Sequence, residues 1–238
     1  TNIIVLLSAI FLKKHIIVSE RNDISKQNIN FLWKILRVIT YPTAYMVTAN
    51  SPKTVGHLKT FPLLKNVKLL PNPLPEITLG NQDSKTILSV GKLHYQKGHD
   101  ILLRALSLCI KNKSLPKDWK LTILGAGNEE NNLKELTKKL NLTEFVNWHT
   151  HEKAENFYIN SSIFVLASRF EGTSNALLEA IANGLPSVVT KNASEAITFL
   201  QDKKNSLIVG NENIEELSIA LKNITQNKEL RVRISESI

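Results

Sequence analysis

The chain has 238 residues, of which 42% are hydrophobic and 21% are charged, and it carries a net charge of +9. These values exclude a disordered or fibrous chain and are typical of a soluble globular protein with a buried core. The only cysteine, Cys109, cannot form an internal disulfide, which favours a reducing compartment such as the cytosol. Residues 1–80 hold ten Lys or Arg against three acids, a balance of +7, so either an anionic partner binds there or the composition is simply biased.

The first 80 residues alternate between helical and extended patterns. We predict, in chain order, helix 2–12, strand 15–19, helix 26–39, strand 45–49, helix 51–60 and strand 67–70. Three strands are few for an independent domain of this type, so we interpret residues 1–75 as the back part of a domain whose front part lies upstream. The apolar stretch 3–12 is too short to span a bilayer and lacks the basic start of a secretion signal.

Prolines crowd residues 71–75, and a polar stretch follows, so we place a linker at 76–84 and a second domain at 85–238. The predicted strands of this domain are 86–90, 121–124, 145–148, 163–166, 187–189 and 206–209. The predicted helices are 99–112, 129–140, 152–160, 174–183, 194–201, 213–226 and 228–238. This alternation predicts an α/β fold with a parallel, doubly wound sheet that binds ligands at the carboxyl ends of its strands.

Two loops of the second domain carry glycines directly after a strand. In the first, Gly91 allows a tight turn, and Lys92 and Lys97 bracket a loop that leads into a helix. Two ammonium groups beside a helix N-terminus can hold a diphosphate, although two lysines can also be a solvated surface feature. In the second loop, Gly125 and Gly127 form either a packing turn or a wall of a nucleotide pocket.

The third loop carries the most specific pattern. Glu171 precedes the predicted helix 174–183, Thr173 or Ser174 is placed to cap that helix, and Glu179 follows about one turn inside it. The backbone N–H groups of residues 172–175 are predicted to face the ligand, and both carboxylates can accept hydrogen bonds from ligand hydroxyls. The alternative is a capped helix with an incidental acid.

At this point the residues resemble a family. The spacing of Glu171 and Glu179 matches the E-x7-E pattern of retaining GT-B glycosyltransferases, and the chain resembles glycosyltransferase family 4 over residues 84–230. Further matches, in the expected order, are residues 90–93, 97–98, 124–127, 164–168, 171–172, 178–180 and 184–186. The resemblance extends weakly to residues 19–22 and 71–73.

The resemblance implies two Rossmann-like domains, the second of which binds a UDP- or GDP-sugar. By similarity, Lys92 and Lys97 would hold the diphosphate, Glu171 would bind hydroxyls of the donor sugar, and Glu179 would bind the ribose, with the base near residues 145–148. The residues expected to contact the donor are Gly91, Lys92, Lys97, Gly125, Gly127, Gly172, Thr173, Ser174, Asn175 and Glu179, and those expected to assist the transfer are Lys92, Lys97 and Glu171. No metal or other cofactor is expected, since cationic side chains and helix dipoles supply the positive charge.

The implied reaction is transfer with retention to a glycan or lipid-linked acceptor in bacterial surface polysaccharide or glycolipid synthesis, in the cytoplasm or peripherally on the inner membrane face. No nucleic-acid partner is expected. The predicted helix 26–39 places Lys26, Asn30, Lys34 and Arg37 on one face beside apolar residues, so it is expected either to rest on an anionic membrane or to pack within its own domain.

The sequence departs from the family at several positions. Lys92 stands where arginine is usual, and Thr150 stands where glycine is usual; we interpret the flanking His149 and His151 as loop residues, because no third metal ligand is evident. The glycine-rich loop and the histidine of the first domain have no counterpart, so the chain alone is expected not to catalyse transfer. The alternatives are a nucleotide-sugar-binding fragment without catalysis, and a nucleotide-sugar epimerase or glycosyl phosphorylase on the same fold.

Overall fold

The computed structural model describes residues 1–12, 14–22, 24, 27, 29–73, 79–81, 83–194 and 197–238. The chain divides into two compact units. The first comprises the described residues among Thr1–Pro73 together with Glu171–Thr173, and the second comprises those among Leu74–Phe170 and Ser174–Ile238. The linker at 76–84 stays a prediction, because residues 76–78 and 82 lie outside the described residues. No helix among the described residues is long and apolar enough to cross a bilayer.

The first unit contains a three-stranded parallel sheet in the order β1-β2-β3. Its strands are β1 (Ile17–Glu20), β2 (Met46–Ala49) and β3 (Val67–Leu69), and its helices are α1 (Asn2–Ser8), α2 (Phe31–Thr40) and α3 (Pro52–Leu58), with a short 3₁₀ turn at Tyr41–Thr43. In the register of this sheet, Val47 pairs with Val18 on one side and with Val67 on the other. Its small core includes Leu6, Val18, Tyr41 and Leu58.

Helices α1, α2 and α3 are all shorter than the sequence predicts, and α3 covers Pro52–Leu58 instead of 51–60. Residues 9–12 form turns after α1, and α2 begins at Phe31 because the side chain of Asn30 accepts a hydrogen bond from the backbone N–H of Leu32 and starts the helix there. Lys26, at the predicted helix start, lies outside the described residues.

The expected basic rim of α2 is also corrected at Arg37. This side chain is mostly buried: its Nη2 donates to Gln27 Oε1 at 2.8 Å, and its Nε lies 3.9 Å from Glu20 Oε1. An arginine that is paired with a buried carboxylate does not present its charge to an external surface. The exposed side chains of α2 are Phe31, Leu32, Trp33, Lys34, Ile35 and Ile39.

The second unit is a six-stranded parallel sheet in the order β6-β5-β4-β7-β8-β9. The strands are β4 (Thr86–Val90), β5 (Lys120–Leu124), β6 (Val146–His149), β7 (Ile163–Leu166), β8 (Ser187–Thr190) and β9 (Leu207–Val209). The helices are α4 (His99–Lys111), α5 (Glu130–Lys139), α6 (Ala154–Ile159), α7 (Asn175–Ala182), α8 (Lys191–Ser194), α9 (Ile214–Gln226) and α10 (Lys228–Glu236). This confirms the predicted doubly wound α/β fold. From β4 the chain runs outward through β5 to β6 at one edge of the sheet. It then returns to β7, beside β4, and runs outward through β8 to β9 at the other edge.

The central strands β4 and β7 are covered on both faces. Side chains alternate between faces along a strand, so Ile87 packs into one core, with α4 and α9, while its neighbour Leu88 packs into the other, with α7. Phe164 lies with Leu88, and Val165 lies with Ile87. Strands that are buried on both faces read as uninterrupted apolar runs, which is why the sequence predicts their positions so closely.

One predicted helix of the second unit is largely wrong. Helix 194–201 was expected, but α8 ends at Ser194, residues 195 and 196 lie outside the described residues, and residues 197–201 are not helical. The side chain of Asn205 explains the difference: its Oδ1 accepts from the Gln201 N–H, and its Nδ2 donates to the Phe199 carbonyl. These bonds satisfy backbone groups that a helix would otherwise pair.

His99, the first residue of α4, gives the unit a dependence on pH. It is 3% exposed, and its Nδ1 has no hydrogen-bond partner among the described residues. Burial, and then the nearby charge of Lys97, lower its pKa from 6.5 to about 4. The unfolded chain therefore takes up this proton as the pH falls below 6.5, whereas the folded chain takes it up only near pH 4. We expect His99 to remove about 3 kcal/mol from the free energy of unfolding over that interval.

Urea unfolding of the wild type and His99→Gln at pH 7, 5.5 and 4.5 measures this effect. The carboxylates that titrate in the same interval are common to both proteins, so their contribution cancels in the comparison. The variant is expected to lose less stability than the wild type as the pH falls. Parallel losses in the two proteins would remove His99 as the cause.

Candidate functional site

The candidate site is at the carboxyl ends of β4 and β7, where the two halves of the sheet meet. The strands are parallel neighbours, with Ile87 opposite Ile163 and Leu88 opposite Phe164. The chain leaves β4 toward one edge of the sheet and leaves β7 toward the other, which opens a crevice between the loops that follow them. The predicted loops after β4 and β7 therefore begin beside this crevice. The predicted loop with Gly125 and Gly127 follows the adjacent strand β5.

Lys97 and Gly91 come together in the β4–α4 loop. After Gly91, residues Tyr95–Lys97 form a 3₁₀ turn, and Gly98, in the left-handed region with φ of 64°, leads into α4. The side chain of Lys97 runs back over the turn, so that a Cβ at position 91 would lie 3.4 Å from its Cδ and Cε. Lys97 is half-buried, whereas Lys92 is exposed. The structure thus places one of the two predicted cations against the end of β4.

Gly125 and Gly127 let the β5–α5 loop pack directly on the β4–α4 loop. The Gly91 N–H donates to the Leu124 carbonyl at 3.0 Å, and the Leu93 N–H donates to the Ala126 carbonyl at 2.9 Å. A Cβ on Gly125 would overlap the carbonyl oxygen of Gly91, and one on Gly127 would overlap that of Leu93. The packing turn foreseen as one alternative is therefore present, and it fixes the shape of the loop that carries Lys97.

The three residues at the centre of the third loop group with the first unit. There the Thr173 hydroxyl donates to the Asn50 carbonyl at 2.7 Å, and Gly172 packs on the backbone of Arg21. Glu171 is 8% exposed. Glu179 belongs to the second unit, so the two predicted carboxylates fall in different units although only eight positions separate them.

The start of α7 agrees with the prediction in position but not in bonding. Ser174 occupies the N-cap, yet its hydroxyl makes no capping hydrogen bond and is buried without a partner among the described residues. Asn175 is the first helical residue and is exposed. The N-cap therefore falls at a predicted residue, but the expected side-chain cap is wrong.

Glu179 is oriented by a residue that the sequence analysis did not identify. The hydroxyl of Tyr158, on α6, donates to Glu179 Oε2 at 2.8 Å and lies 3.2 Å from the Ala176 carbonyl. Burial, and then the charge of Glu179, raise the pKa of Tyr158 far above its usual value, so the phenol keeps its proton and remains a donor. Tyr158 is 2% exposed. In the sequence, it is indistinguishable from a tyrosine that only fills a core.

The end of β6 lies beside the glycine loop. The Gly125 N–H donates to the His149 carbonyl at 2.9 Å, and His149 Nδ1 lies 2.7 Å from Glu152 Oε1. The His149 ring also packs edge-on against Phe157, with centroids 4.8 Å apart. Within the described ranges, no group of three or more His, Cys, Asp or Glu side chains is arranged to hold a metal ion.

The fold is that of GT-B glycosyltransferases. The Anabaena protein Alr3699/HepE, solved in complex with UDP-glucose, superposes with a TM-score of 0.86 at 14% identity, over 99% of this chain and 69% of that one. The pneumococcal O-GlcNAc transferase GtfA, solved with UDP and GlcNAc, superposes with a TM-score of 0.82 at 16% identity, over 98% and 49% of the two chains. At these identities the likeness establishes the architecture only.

The family follows from the sequence comparison. The profile described as "Glycosyl transferases group 1" matches residues 73–238, and the chain belongs to this family. An uncharacterized glycosyltransferase of Haemophilus influenzae is 38% identical over 176 residues, 72% of this chain and 49% of its own length.

A second relative has a named activity. The N-acetylgalactosamine-N,N'-diacetylbacillosaminyl-diphospho-undecaprenol 4-alpha-N-acetylgalactosaminyltransferase of Campylobacter jejuni is 32% identical over 217 residues, 87% of this chain and 58% of its own length. The chain therefore spans about half the length of the curated relatives it matches.

Proposed function

We propose that the second unit binds a UDP- or GDP-sugar, and that the protein to which it belongs transfers this sugar to a glycan or lipid-linked acceptor in bacterial surface polysaccharide or glycolipid synthesis. Support comes from membership of the group 1 family and from the Campylobacter relative, whose name describes an acceptor linked to diphospho-undecaprenol. Retention at the anomeric carbon is part of the proposal and is supported by the E-x7-E spacing of Glu171 and Glu179.

The observation that carries this proposal is the position of Lys97. Its side chain lies over Gly91 at the carboxyl end of β4, and the next residue but one begins the 13-residue helix α4. A flexible ammonium group at the end of the central strand, beside a helix N-terminus, suits a diphosphate and the negative charge that grows on it as the sugar departs. Lys92 adds a second cation on the same turn. With this positive charge supplied by the chain, we propose that no metal is needed.

The remaining predicted residues divide the donor between them. Glu179, held by Tyr158 through Oε2, is proposed to accept hydrogen bonds from the ribose hydroxyls, because a carboxylate has two oxygens and several lone pairs to offer. Glu171 is proposed to bind hydroxyls of the donor sugar, with the backbone of residues 172–175. The base is proposed to lie near the end of β6.

Calorimetric titration of the chain with UDP, GDP and their sugar conjugates tests donor binding. We expect one base to bind and the other to bind much more weakly, whereas no heat with any of these ligands would contradict the proposal. Incubation with the preferred donor and a lipid-linked acceptor then identifies the reaction. A nucleoside diphosphate with a glycosylated acceptor indicates transfer, an isomerised sugar nucleotide indicates an epimerase, and binding without turnover indicates a binding fragment.

Glu179→Ala is expected to weaken nucleoside diphosphate binding about tenfold, since it removes a charged acceptor of hydroxyl hydrogen bonds. Tyr158→Phe is expected to give a smaller loss in the same direction, because it frees the carboxylate to rotate. Calorimetry measures both, with the exposed Glu135 of α5, changed to alanine, as the matched control. An affinity for Glu179→Ala equal to that of the control would remove Glu179 from the site.

We also propose that α2 contacts an anionic membrane. Its exposed Phe31, Leu32, Ile35 and Ile39 lie beside the exposed Lys34, an arrangement that suits the boundary between headgroups and acyl chains. Co-sedimentation with vesicles containing phosphatidylglycerol is expected, and it should weaken with Lys34→Glu. Equal sedimentation with phosphatidylcholine vesicles, or none with either, would contradict this part of the proposal.

A further inference from the structure

Arg169 lies three positions after the end of β7, and all three nitrogens of its guanidinium group donate hydrogen bonds. Its Nη1 and Nη2 donate to the two carboxylate oxygens of Asp100 at 2.9 and 2.8 Å, and its Nε donates to Glu212 Oε1 at 2.6 Å. Nη1 also donates to the Tyr95 carbonyl at 2.7 Å, and the guanidinium lies 3.9 Å from the centre of the Tyr95 ring. The side chain is only 11% exposed. These contacts use the planar fork of arginine, which lysine cannot reproduce.

The partners of Arg169 come from three different parts of the second unit. Tyr95 lies in the β4–α4 loop, Asp100 lies in the first turn of α4, and Glu212 lies in the β9–α9 loop, whereas Arg169 itself follows β7. One side chain therefore ties together loops from both halves of the sheet.

Backbone contacts strengthen the same connection. The Arg169 N–H donates to the Gln96 carbonyl at 2.8 Å, and Gln96 Nε2 donates in return to the Phe170 carbonyl at 2.9 Å. On the other side, Asn192 Nδ2 donates to the Arg169 carbonyl at 2.7 Å. Gln96 immediately precedes Lys97, which is proposed to bind the diphosphate. The backbone segment that carries Lys97 is therefore bonded to the loop after β7.

The charges around Arg169 argue against a direct role in holding a diphosphate. Its single positive charge faces two carboxylates, Asp100 and Glu212, both in contact with it. The cluster has a net negative charge, so it does not attract a diphosphate by itself. The cluster instead holds the Lys97 loop in a fixed geometry across the crevice between β4 and β7. A charged group that is already held in position loses less conformational entropy when it binds a ligand than a mobile one does.

We propose that Arg169 is a positioning residue that locks the β4–α4 loop against the loop after β7, so that Lys97 is held ready for the diphosphate of the donor. This inference rests on the proposed function. It assigns Arg169 no contact with the substrate.

Arg169→Lys tests it, because this variant keeps the charge and loses the fork. We expect about tenfold weaker binding of the nucleoside diphosphate, little change for the bare nucleoside, and faster hydrogen exchange at the backbone amides of residues 91–98. The matched control is Arg104→Lys, on the exposed face of α4. Unchanged affinity and unchanged exchange in Arg169→Lys would overturn the proposal.

A double-mutant comparison separates positioning from general destabilisation. If Arg169 acts through Lys97, adding Arg169→Lys to Lys97→Ala should weaken diphosphate binding by less than about twofold further, since the group being positioned is already gone. Fully additive losses would show that Arg169 acts in another way and would overturn the proposal.

Glu212→Gln is a second variant, for the case in which Arg169→Lys does not fold. It removes one carboxylate partner of Arg169 at a half-exposed position, so it should fold. It should increase hydrogen exchange in residues 91–98 to a lesser degree than Arg169→Lys, and unchanged exchange there would count against the proposal. Hydrogen exchange needs no ligand, so it tests the lock even if the wild-type chain binds no nucleoside diphosphate, a result that would refute the proposed function instead.

Discussion

Lys97→Ala is expected to weaken the binding of a nucleoside diphosphate about ten- to hundredfold while leaving the bare nucleoside almost unaffected. The reason is that the contact proposed for this ammonium group is with the phosphates and not with the ribose or the base, and charge-assisted contacts of this kind are worth about 1.5–3 kcal/mol. Lys97 lies over Gly91, which has no side chain that could replace the lost ammonium group. Paired calorimetric titrations with uridine and UDP, or guanosine and GDP, measure the difference.

The control for this result is Lys111→Ala, an exposed lysine in the last turn of the same helix α4. It removes the same charge from the protein at the opposite end of the helix, so any general effect of net charge appears in both variants. Equal losses for nucleoside and diphosphate in Lys97→Ala would argue against a phosphate role for this residue. So would a loss in Lys111→Ala as large as that in Lys97→Ala.

Gly125→Ala is expected to lower the free energy of unfolding of the second unit by about 3 kcal/mol. The new Cβ would overlap the carbonyl oxygen of Gly91, and that carbonyl cannot retreat easily because the Gly91 N–H is bonded to Leu124 in the neighbouring strand. The loop that carries Lys97 would have to shift, so diphosphate affinity should fall together with stability. Urea unfolding followed by tryptophan fluorescence measures the stability change.

A second glycine gives the opposite expectation. Gly56 lies inside α3, and a Cβ there would meet no atom within 4 Å. Gly56→Ala should therefore stabilise the first unit by about 0.5–1 kcal/mol through helix propensity. If Gly125→Ala behaved like Gly56→Ala, the close approach of the two loops would not be a constraint in solution.

The sheet was predictable because its strands are short apolar runs between turn residues. The bounds of β4 and β7 are those predicted from the sequence, since each strand is buried on both faces and a polar side chain follows within two residues of its end. The errors fall where side chains replace regular backbone pairing. Asn30 delays the start of α2, and Asn205 closes a turn where a helix was expected.

The candidate site was predictable only in its local motifs. The loops at Gly91 and Glu171 were identified from glycines, charges and spacing, which are properties of neighbouring residues. Arg169 and Tyr158 were not assigned roles because their partners are distant in the sequence: Arg169 and Asp100 are 69 positions apart, and Tyr158 and Glu179 are 21 apart. The grouping of Glu171 with one unit and Glu179 with the other likewise depends on tertiary packing. The eight-residue spacing between them carries no information about that packing.

The strand order has a consequence for how this unit withstands unfolding. The crevice lies between β4 and β7, which open the two halves of the sheet and begin 77 positions apart in the chain. A donor bound there would contact loops from both halves of the sheet, so the site would be complete only when the two halves are paired. Each molecule that binds only the assembled sheet adds to its stability in proportion to the logarithm of its concentration. A larger cellular pool of sugar nucleotide would thus stabilise the pairing of the two halves, and a depleted pool would remove that added stability.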